Sequence, residues 1–581
     1  MSEKKVIYQL LPRLFTNYNG HCVPSGTIEQ NGAGKLNDIT PRILREIKKL
    51  GVTHVWYTGV IEHSHRPDYS AHGIRRNNPH VVKGQAGSPY AITDYYDIDP
   101  DLAVDVDRRM EEFESLVERT HAEGMEVIID FVPNHVAREY HSDNTPAGVD
   151  NLGAHDDKTK YFAPSNNFYY IPRQLFAPAV DMGDGSDAYV EFPAKVSGND
   201  CFTAFPGQYD WYDTIKLNYG VDYGNGSHHF DPIPDTWLKM LNILRFWAAK
   251  GIDGFRCDMV HMVPLEFWEW AIPAVKEHYP DITFIAEIYD PALYRDFIHR
   301  GGFDYLYDKV SLYDTLRGVL CSNISAARIT NCWQTVEGIN GHMLNFLENH
   351  DEQRFGSRQF AGDPSKVTPL LVVSSMINTG PVMIYAGQEL GEQAVDAEGY
   401  SGLDGRTTIF DYWSVPTLRR WLNGGKADGA ALTERELWLR GRYAHILNLL
   451  HTSPAITEGG FFDLMYVNYD NPTVNPHRQY FFLRSCPKET LVIAVNFSDR
   501  QCSPEINIPQ HAFDILGLPT GSFVATELLS GDKMNKELHP LHPFTTTIDA
   551  YGAAVWSIKH RKGIGPRKKT SEKTAKKTKK A

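Results

Sequence analysis

The chain has 581 residues, 42% hydrophobic and 22% charged, which is ordinary globular composition and too long for one core. Two or three domains are expected, and disorder as the main state is excluded. Seven cysteines, none at C-x-x-C spacing, exclude a disulfide scaffold and fit a reducing compartment, and a net charge of −14 disfavours nucleic-acid binding.

Eight apolar, β-branched or aromatic runs mark the first 390 residues. They are VIYQLLP (6–12), THVWYTGV (53–60), EVIIDFVP (126–133), GFRCDMV (254–260), TFIAEIY (283–289), YLYDKV (305–310), HMLNFLEN (342–349) and VMIYAG (382–387). Near-continuous apolarity predicts strands covered on both faces, as in a parallel sheet. Helical patterns lie between several of them. Thr40 is placed to cap a helix with Pro41 at its first position, Ile43, Leu44, Ile47 and Leu50 inward, and Gly51 as its stop. Asp107–Glu123 puts Met110, Phe113, Leu116 and Val117 on one face, before Gly124. Asp235–Lys250 is apolar nearly all round and predicts a helix covered on both sides. Strand and helix alternating about eight times predict an α/β fold, a (β/α)8 TIM barrel.

The stretch from Asn134 to Gly254 is too long for a loop and one helix. Residues 136–215, rich in Asn, Asp, Gly, Pro and Tyr, predict an irregular domain inserted after the third strand. Beyond residue 450, RQYFFLRS (478–485), TLVIAVNFS (490–498), SFVATELLSG (522–531) and TTTIDAYGAAVWSI (545–558) predict a C-terminal antiparallel β-sandwich. The expected domains are therefore a barrel at 1–135 and 216–450, an insertion at 136–215 and a sandwich at 451–560. A disordered tail at 561–581 carries ten Lys/Arg against one Glu. No N-terminal apolar leader and no run of about 18 apolar residues is seen, so a soluble, cytoplasmic protein without a membrane partner is expected.

Barrel enzymes carry their chemistry at the C-terminal ends of the strands. There, polar residues interrupt the apolar runs. Asn134 and His135 close the third, Arg256 and Asp258 share one face of the fourth, Glu287 ends the fifth, and His350 and Asp351 end the seventh. Buried charge is costly unless paired, so carboxylates converging with an arginine make a candidate site. Arg256 and Asp258 alone would equally suit a structural ion pair. Cys257 reads as core, and the pairs His63/His65 and His228/His229 read as solvated loop histidines.

DFVPNH (130–135), GFRCDMVHM (254–262), AEIY (286–289) and ENHD (348–351) resemble, in order and strand position, the four sequence blocks of the α-amylase family, glycoside hydrolase family 13. VIYQLLPRLF at the first strand, YAITDYYDIDP (90–100) and YAGQELG (385–391) are similar too, so the resemblance spans roughly residues 1–450. It implies a retaining double displacement, with Asp258 as nucleophile, Glu287 as acid/base and Asp351 holding sugar hydroxyls and stabilising the oxocarbenium-like charge. Arg256 would keep Asp258 ionised, while Glu287 would stay protonated in a less polar setting. His135 and His350 would hydrogen-bond the same glucose unit, and Tyr90 would stack on it. His261 and Met262 stand where classical α-amylases carry Lys-His, and His261 still offers a donor to the leaving-group side.

The family's structural calcium would use Asn134 and carboxylates of the insertion. Lys216 stands where that cage has an Asp, so no cofactor is expected to be required. Calcium is expected to be absent or weak there, with Lys216 in its place. The implied activity is hydrolysis of α-1,4-linked glucans or malto-oligosaccharides. The alternatives are a glucan transferase or trehalose synthase-like isomerase on the same scaffold, and a non-catalytic sugar-binding homologue. The presence of all three acids disfavours the last.

Overall fold

The computed structural model describes residues 4–560, and the tail expected at 561–581 lies outside them. The chain divides into two compact units between Thr452 and Ser453.

The first unit is the barrel. Its strands are β1 (Val6–Leu10), β2 (His54–Tyr57), β3 (Glu126–Phe131), β4 (Gly254–Cys257), β5 (Thr283–Ala286), β6 (Tyr305–Tyr307), β7 (Met343–Phe346) and β8 (Val382–Tyr385). All are parallel, each pairs with its neighbours in sequence, and β1 pairs with β8 through Val6 and Val382 to close the cylinder. Each strand falls inside one of the eight apolar runs but ends earlier, so the polar residues at the ends of the runs lie in the loops above the barrel. After β6 the chain turns at once into a π-helical turn, Lys309–Tyr313, where the apolar run had predicted strand. The Asp308 carboxylate accepts the Leu312 amide and draws the backbone round.

Around the barrel, α1 (Pro41–Lys48) starts as the sequence indicates, with Thr40 Oγ1 accepting the Ile43 amide. The next helix, α2 (Arg109–Ala122), begins two residues later than predicted, because Asp105 accepts the Asp107 amide and holds Val106–Arg108 in a 3-10 turn. Two large rings of α3 (Asp235–Ala249), Trp237 and Trp247, are buried, and Trp247 Nε1 donates to Tyr95 O at 2.7 Å. Among the described residues, no helix is long and apolar enough to cross a membrane.

Two excursions leave the barrel near its C-terminal rim. The first is a hairpin after β2, in which Ile61–His63 pairs antiparallel with Ile92–Ile98. His63 and His65, expected in solvent, are buried here. His63 lies 3.0 Å from Asp99 and 2.9 Å from Arg13, so this segment is packed rather than looped out.

The second is the inserted region. At its base His135–Ala137 pairs antiparallel with Thr214–Lys216, setting His135 opposite Lys216. It has a small core of Tyr169, Ile171, Phe176, Ala194, Val196, Ala204 and Tyr212. Arg138 is buried at its centre. It donates to Tyr212 O, Glu191 Oε1, Ser197 Oγ and Thr214 O at 2.7–2.8 Å, and lies 3.7 Å over the Phe176 ring.

The second unit holds a six-stranded antiparallel sheet. Its strands are β9 (Gly460–Asp463), β10 (Gln479–Cys486), β11 (Glu489–Asn496), β12 (Gly521–Glu527), β13 (Lys533–Leu538) and β14 (Ala553–Lys559), in the order β9-β10-β11-β14-β12-β13. A two-stranded ribbon, Glu505–Ile506 with Phe544–Thr545, completes the expected C-terminal β architecture.

Candidate active site

Strand register brings the acids together. Arg256 on β4 lies opposite Asp130 on β3 and Ile285 on β5, and Glu287, two residues beyond Ile285, keeps its facing. The Arg256 guanidinium is fully buried and becomes the hub. Nη1 donates to Asp258 Oδ1 at 2.9 Å and to Asp130 Oδ1 at 3.3 Å, and Nε donates to the Tyr307 hydroxyl at 3.2 Å. Nη2 lies 2.7 Å from Glu287 Oε2, as an ion pair without hydrogen-bond alignment. Trp56, Tyr90 and Tyr307 present ring faces to it at 5.3–5.5 Å, so the charge is held by carboxylates and aromatic faces with little water.

Directly after Asp258 the backbone takes a left-handed turn at Met259, φ +42°, unusual for a residue with a side chain. The turn aims the Met259 amide at Glu287 Oε2, 3.0 Å away. Tyr289 donates to Glu287 Oε1 at 2.5 Å. Burial and then the charge of Glu287 lift the Asp258 carboxyl well above the usual range, against the pull of Arg256. This differs from the expected division, in which Arg256 simply keeps Asp258 ionised and Glu287 sits in a less polar setting. Glu287 is instead served by two hydrogen-bond donors and the guanidinium.

Asp351 is the more open of the three acids. Burial would raise it, but His350 foremost, then Arg256 and Arg406, hold it down to about 2. His350 is fixed by three neighbours. Gln9 Nε2 donates to its Nδ1 at 2.7 Å, leaving Nε2 to face the Tyr90 hydroxyl at 2.6 Å and Asp351 Oδ2 at 3.1 Å. Tyr90 stacks on the His350 ring at 5.1 Å and donates to Asp130 at 3.3 Å. Burial, helped by Lys216 and Lys83, pushes the His135 imidazole down to about 3, so it is neutral at any working pH.

Tyr90, His135, Asp258, Glu287 and Asp351 all line one cavity of about 300 Å3, with Lys83, Trp211, Asp213, Met259, Tyr289 and Phe410. Arg256 and His350 stand behind that lining. His261 is not part of it and packs edge-on to Tyr289, ring centroids 6.3 Å apart. Asn134 turns away from the cavity. Its Nδ2 donates to Gly198 O at 2.7 Å and its Oδ1 accepts Lys216 Nζ at 2.8 Å.

Several contributors were not singled out from the sequence. Asp130 and Gln9 are polar residues inside apolar runs, and inward facing was the available signal. Trp211, Lys83 and Asp213 come from loops, and no local pattern places them beside β4.

The family model described as alpha amylase, catalytic domain, matches residues 9–176 and 233–409, more than half the chain and all eight strands but the first residues of β1. An α-amylase of Streptomyces lividans is 25% identical over 388 residues, covering 62% of this chain and 40% of that protein. A cyclomaltodextrin glucanotransferase of Geobacillus stearothermophilus is 25% identical over 410 residues, 66% of this chain and 49% of that one. The chain thus spans less than half the length of either relative. The solved α-amylase of Geobacillus thermoleovorans, in complex with acarbose, superposes with a TM-score of 0.62 at 19% identity, over 96% of this chain and 99% of that one, a likeness of fold. With the catalytic-domain match lying over a closed barrel that gathers the four blocks at one rim, the chain belongs to the α-amylase family.

Proposed function

We propose that this chain is a retaining α-glycoside hydrolase acting on α-1,4-linked glucans or malto-oligosaccharides. The observation that carries this reading is that Asp258 and Glu287 share one guanidinium, Asp258 Oδ1 at 2.9 Å from Arg256 Nη1 and Glu287 Oε2 at 2.7 Å from Nη2. A shared cation suits the spacing of a retaining pair, about 5–5.5 Å, rather than that of an inverting one, about 6.5–9.5 Å.

In the first step Glu287 protonates the leaving oxygen while ionised Asp258 attacks the anomeric carbon, forming a glycosyl ester. In the second, Glu287 takes a proton from water, which attacks the ester and releases the sugar with its α configuration kept. Arg256, shared by the pair, holds the Asp258 carboxylate as it ionises. Asp351, ionised throughout, stabilises positive charge on the ring, and Tyr90 and His135 bound the same sugar.

Product analysis on maltoheptaose tests this. Glucose, maltose or short oligomers, released as α anomers, support hydrolysis with retention. Longer oligomers or trehalose would favour the transferase or isomerase reading. No turnover by the folded protein would leave sugar binding alone.

At the family's calcium position the residues do not fit the ion. Lys216 Nζ lies 2.8 Å from Asn134 Oδ1 and 2.5 Å from Asp200 Oδ1, so an ammonium already engages both oxygens. We propose that Lys216 does the cation's structural work there. Lys216→Met should lower the thermal midpoint by several degrees, and Lys216→Asp should recover it only when calcium is added. Unchanged melting of both variants would reject this role.

A further inference from the structure

Outside the catalytic cavity, the hairpin after β2 poses an electrostatic problem. Its register sets Glu62 directly opposite Asp94, with irregular pairing on both sides of Glu62. Like charges directly opposite one another in an antiparallel pair repel. Asp97 joins them. One carboxylate oxygen from each of the three lies within 4.8 Å of the others, and the residues are 3%, 0% and 3% exposed. Buried at that spacing, three negative charges are far too costly to stand unneutralised.

The protein supplies part of an answer. Arg109 and the Asn144 side chain both donate to Asp97 Oδ2, and the Ile98 amide donates to Oδ1 at 2.7 Å. Asp94 accepts the amides of Tyr96, Asp143 and Asn144 at 2.8–3.0 Å, and the Ser142 hydroxyl. Thr93 Oγ1 donates to Glu62 Oε1 at 3.0 Å. Glu62 Oε2, however, is buried with no hydrogen-bond partner among the described residues, and it belongs to the carboxylate that faces Asp94 and Asp97. One guanidinium therefore meets three carboxylates, and one oxygen is left unserved.

We propose that Glu62, Asp94 and Asp97 form a calcium site that ties the base of the inserted region to the hairpin. The donors are all oxygen, which selects a hard cation. Calcium–oxygen distances of about 2.4 Å span the observed separation from either side of one ion. Magnesium keeps several of its waters, and this pocket is closed to solvent. Glu62 Oε2 supplies the open ligand. A rotation of the Ser142 hydroxyl, which costs no heavy-atom movement, frees a lone pair on Asp94 Oδ1. The same ion would lock residues 142–144, which Asp94 and Asp97 already grip, and so the first turn of chain beyond the His135–Ala137 strand.

The test is metal content of the full-length protein by mass spectrometry after desalting into metal-free buffer. One calcium per chain is expected in the wild type and in Lys216→Met, and none in Glu62→Gln. Should Glu62→Gln not fold, the wild type decides alone. Its thermal midpoint should fall by several degrees after EDTA and return with calcium but not with magnesium. Wild-type protein that retains no metal and melts identically with EDTA, calcium or neither would overturn the site and leave Glu62 neutralised by a proton. Calcium retained equally by Glu62→Gln would also overturn it. None of these outcomes depends on glycosidase turnover, so the metal site and the proposed activity stand or fall separately.

Discussion

Arg256 is the residue on which the cavity's electrostatics turn. Its side chain is buried among Asp130, Asp258 and Glu287, so losing it leaves three carboxylates without their shared cation. Arg256→Met should cost roughly 3–5 kcal/mol, the usual penalty for breaking a buried pair from one side, read by urea denaturation, and should abolish turnover. Glu287→Gln keeps the shape but cannot deliver a proton, and kcat should drop by about 10²–10⁴ while the melting temperature barely changes. The pH profile follows from the direction of the shifts. The working pair holds one proton, and Asp258 is raised by burial and by Glu287, so activity should fall as pH rises through a value well above the ordinary carboxylate range. Asp351, held at about 2, stays ionised across that range. Asp351→Asn should lower kcat and, by removing a negative charge that helps raise Asp258, move the alkaline limb of the profile to lower pH. The three acids were legible in the sequence because each interrupts or follows an apolar run and falls in one of the blocks that resemble the α-amylase family. The raised state of Asp258 was not, because the shift comes from burial beside Glu287, which no local pattern shows.

At the scale of elements, the eight strands were legible for a plain reason. A strand covered on both faces needs an unbroken apolar run, and few other structures do. Their ends were not, since polar side chains such as Asp308 capture backbone amides and curl the chain before the apolar run finishes. The loops after β7 and β8 show the same interplay. Glu348 pairs with Arg354 at 3.0 Å, and Arg354 stacks on Tyr385 and reaches the Ala386 carbonyl, so the segment bearing His350 and Asp351 is anchored from behind. Nearby, burial lifts Glu398 from an ordinary 4.5 to about 8, with the Thr408 amide as its hydrogen-bond donor. A carboxyl whose folded-state value exceeds its unfolded one stabilises fully below the unfolded value, near 4.5, and loses that contribution as pH climbs to about 8. Glu398→Gln should accordingly flatten the fall of the thermal midpoint between those two pH values, as scanning calorimetry would report.

On the scale of the molecule, the inserted region was legible only as excess length between β3 and β4 and as a composition rich in Asn, Asp, Gly, Pro and Tyr. Its short strands and small core lack the periodicity that betrays regular elements. Arg138 substitutes for that regularity, spending its guanidinium on Tyr212, Glu191, Ser197 and Thr214. Arg138→Met should strip about 3–5 kcal/mol from this region while the barrel stays folded, visible as early proteolytic nicking between residues 140 and 213. The pairing of β1 with β8 has a consequence for anyone shortening the gene. A fragment that stops ahead of Val382 forfeits the final stave. It would bare the backbone of β1 on one flank and of β7 on the other, two sticky margins that invite neighbouring molecules to dock strand to strand. Such truncations should precipitate, whereas a break placed in an outer loop, with every stave retained, should leave the cylinder whole.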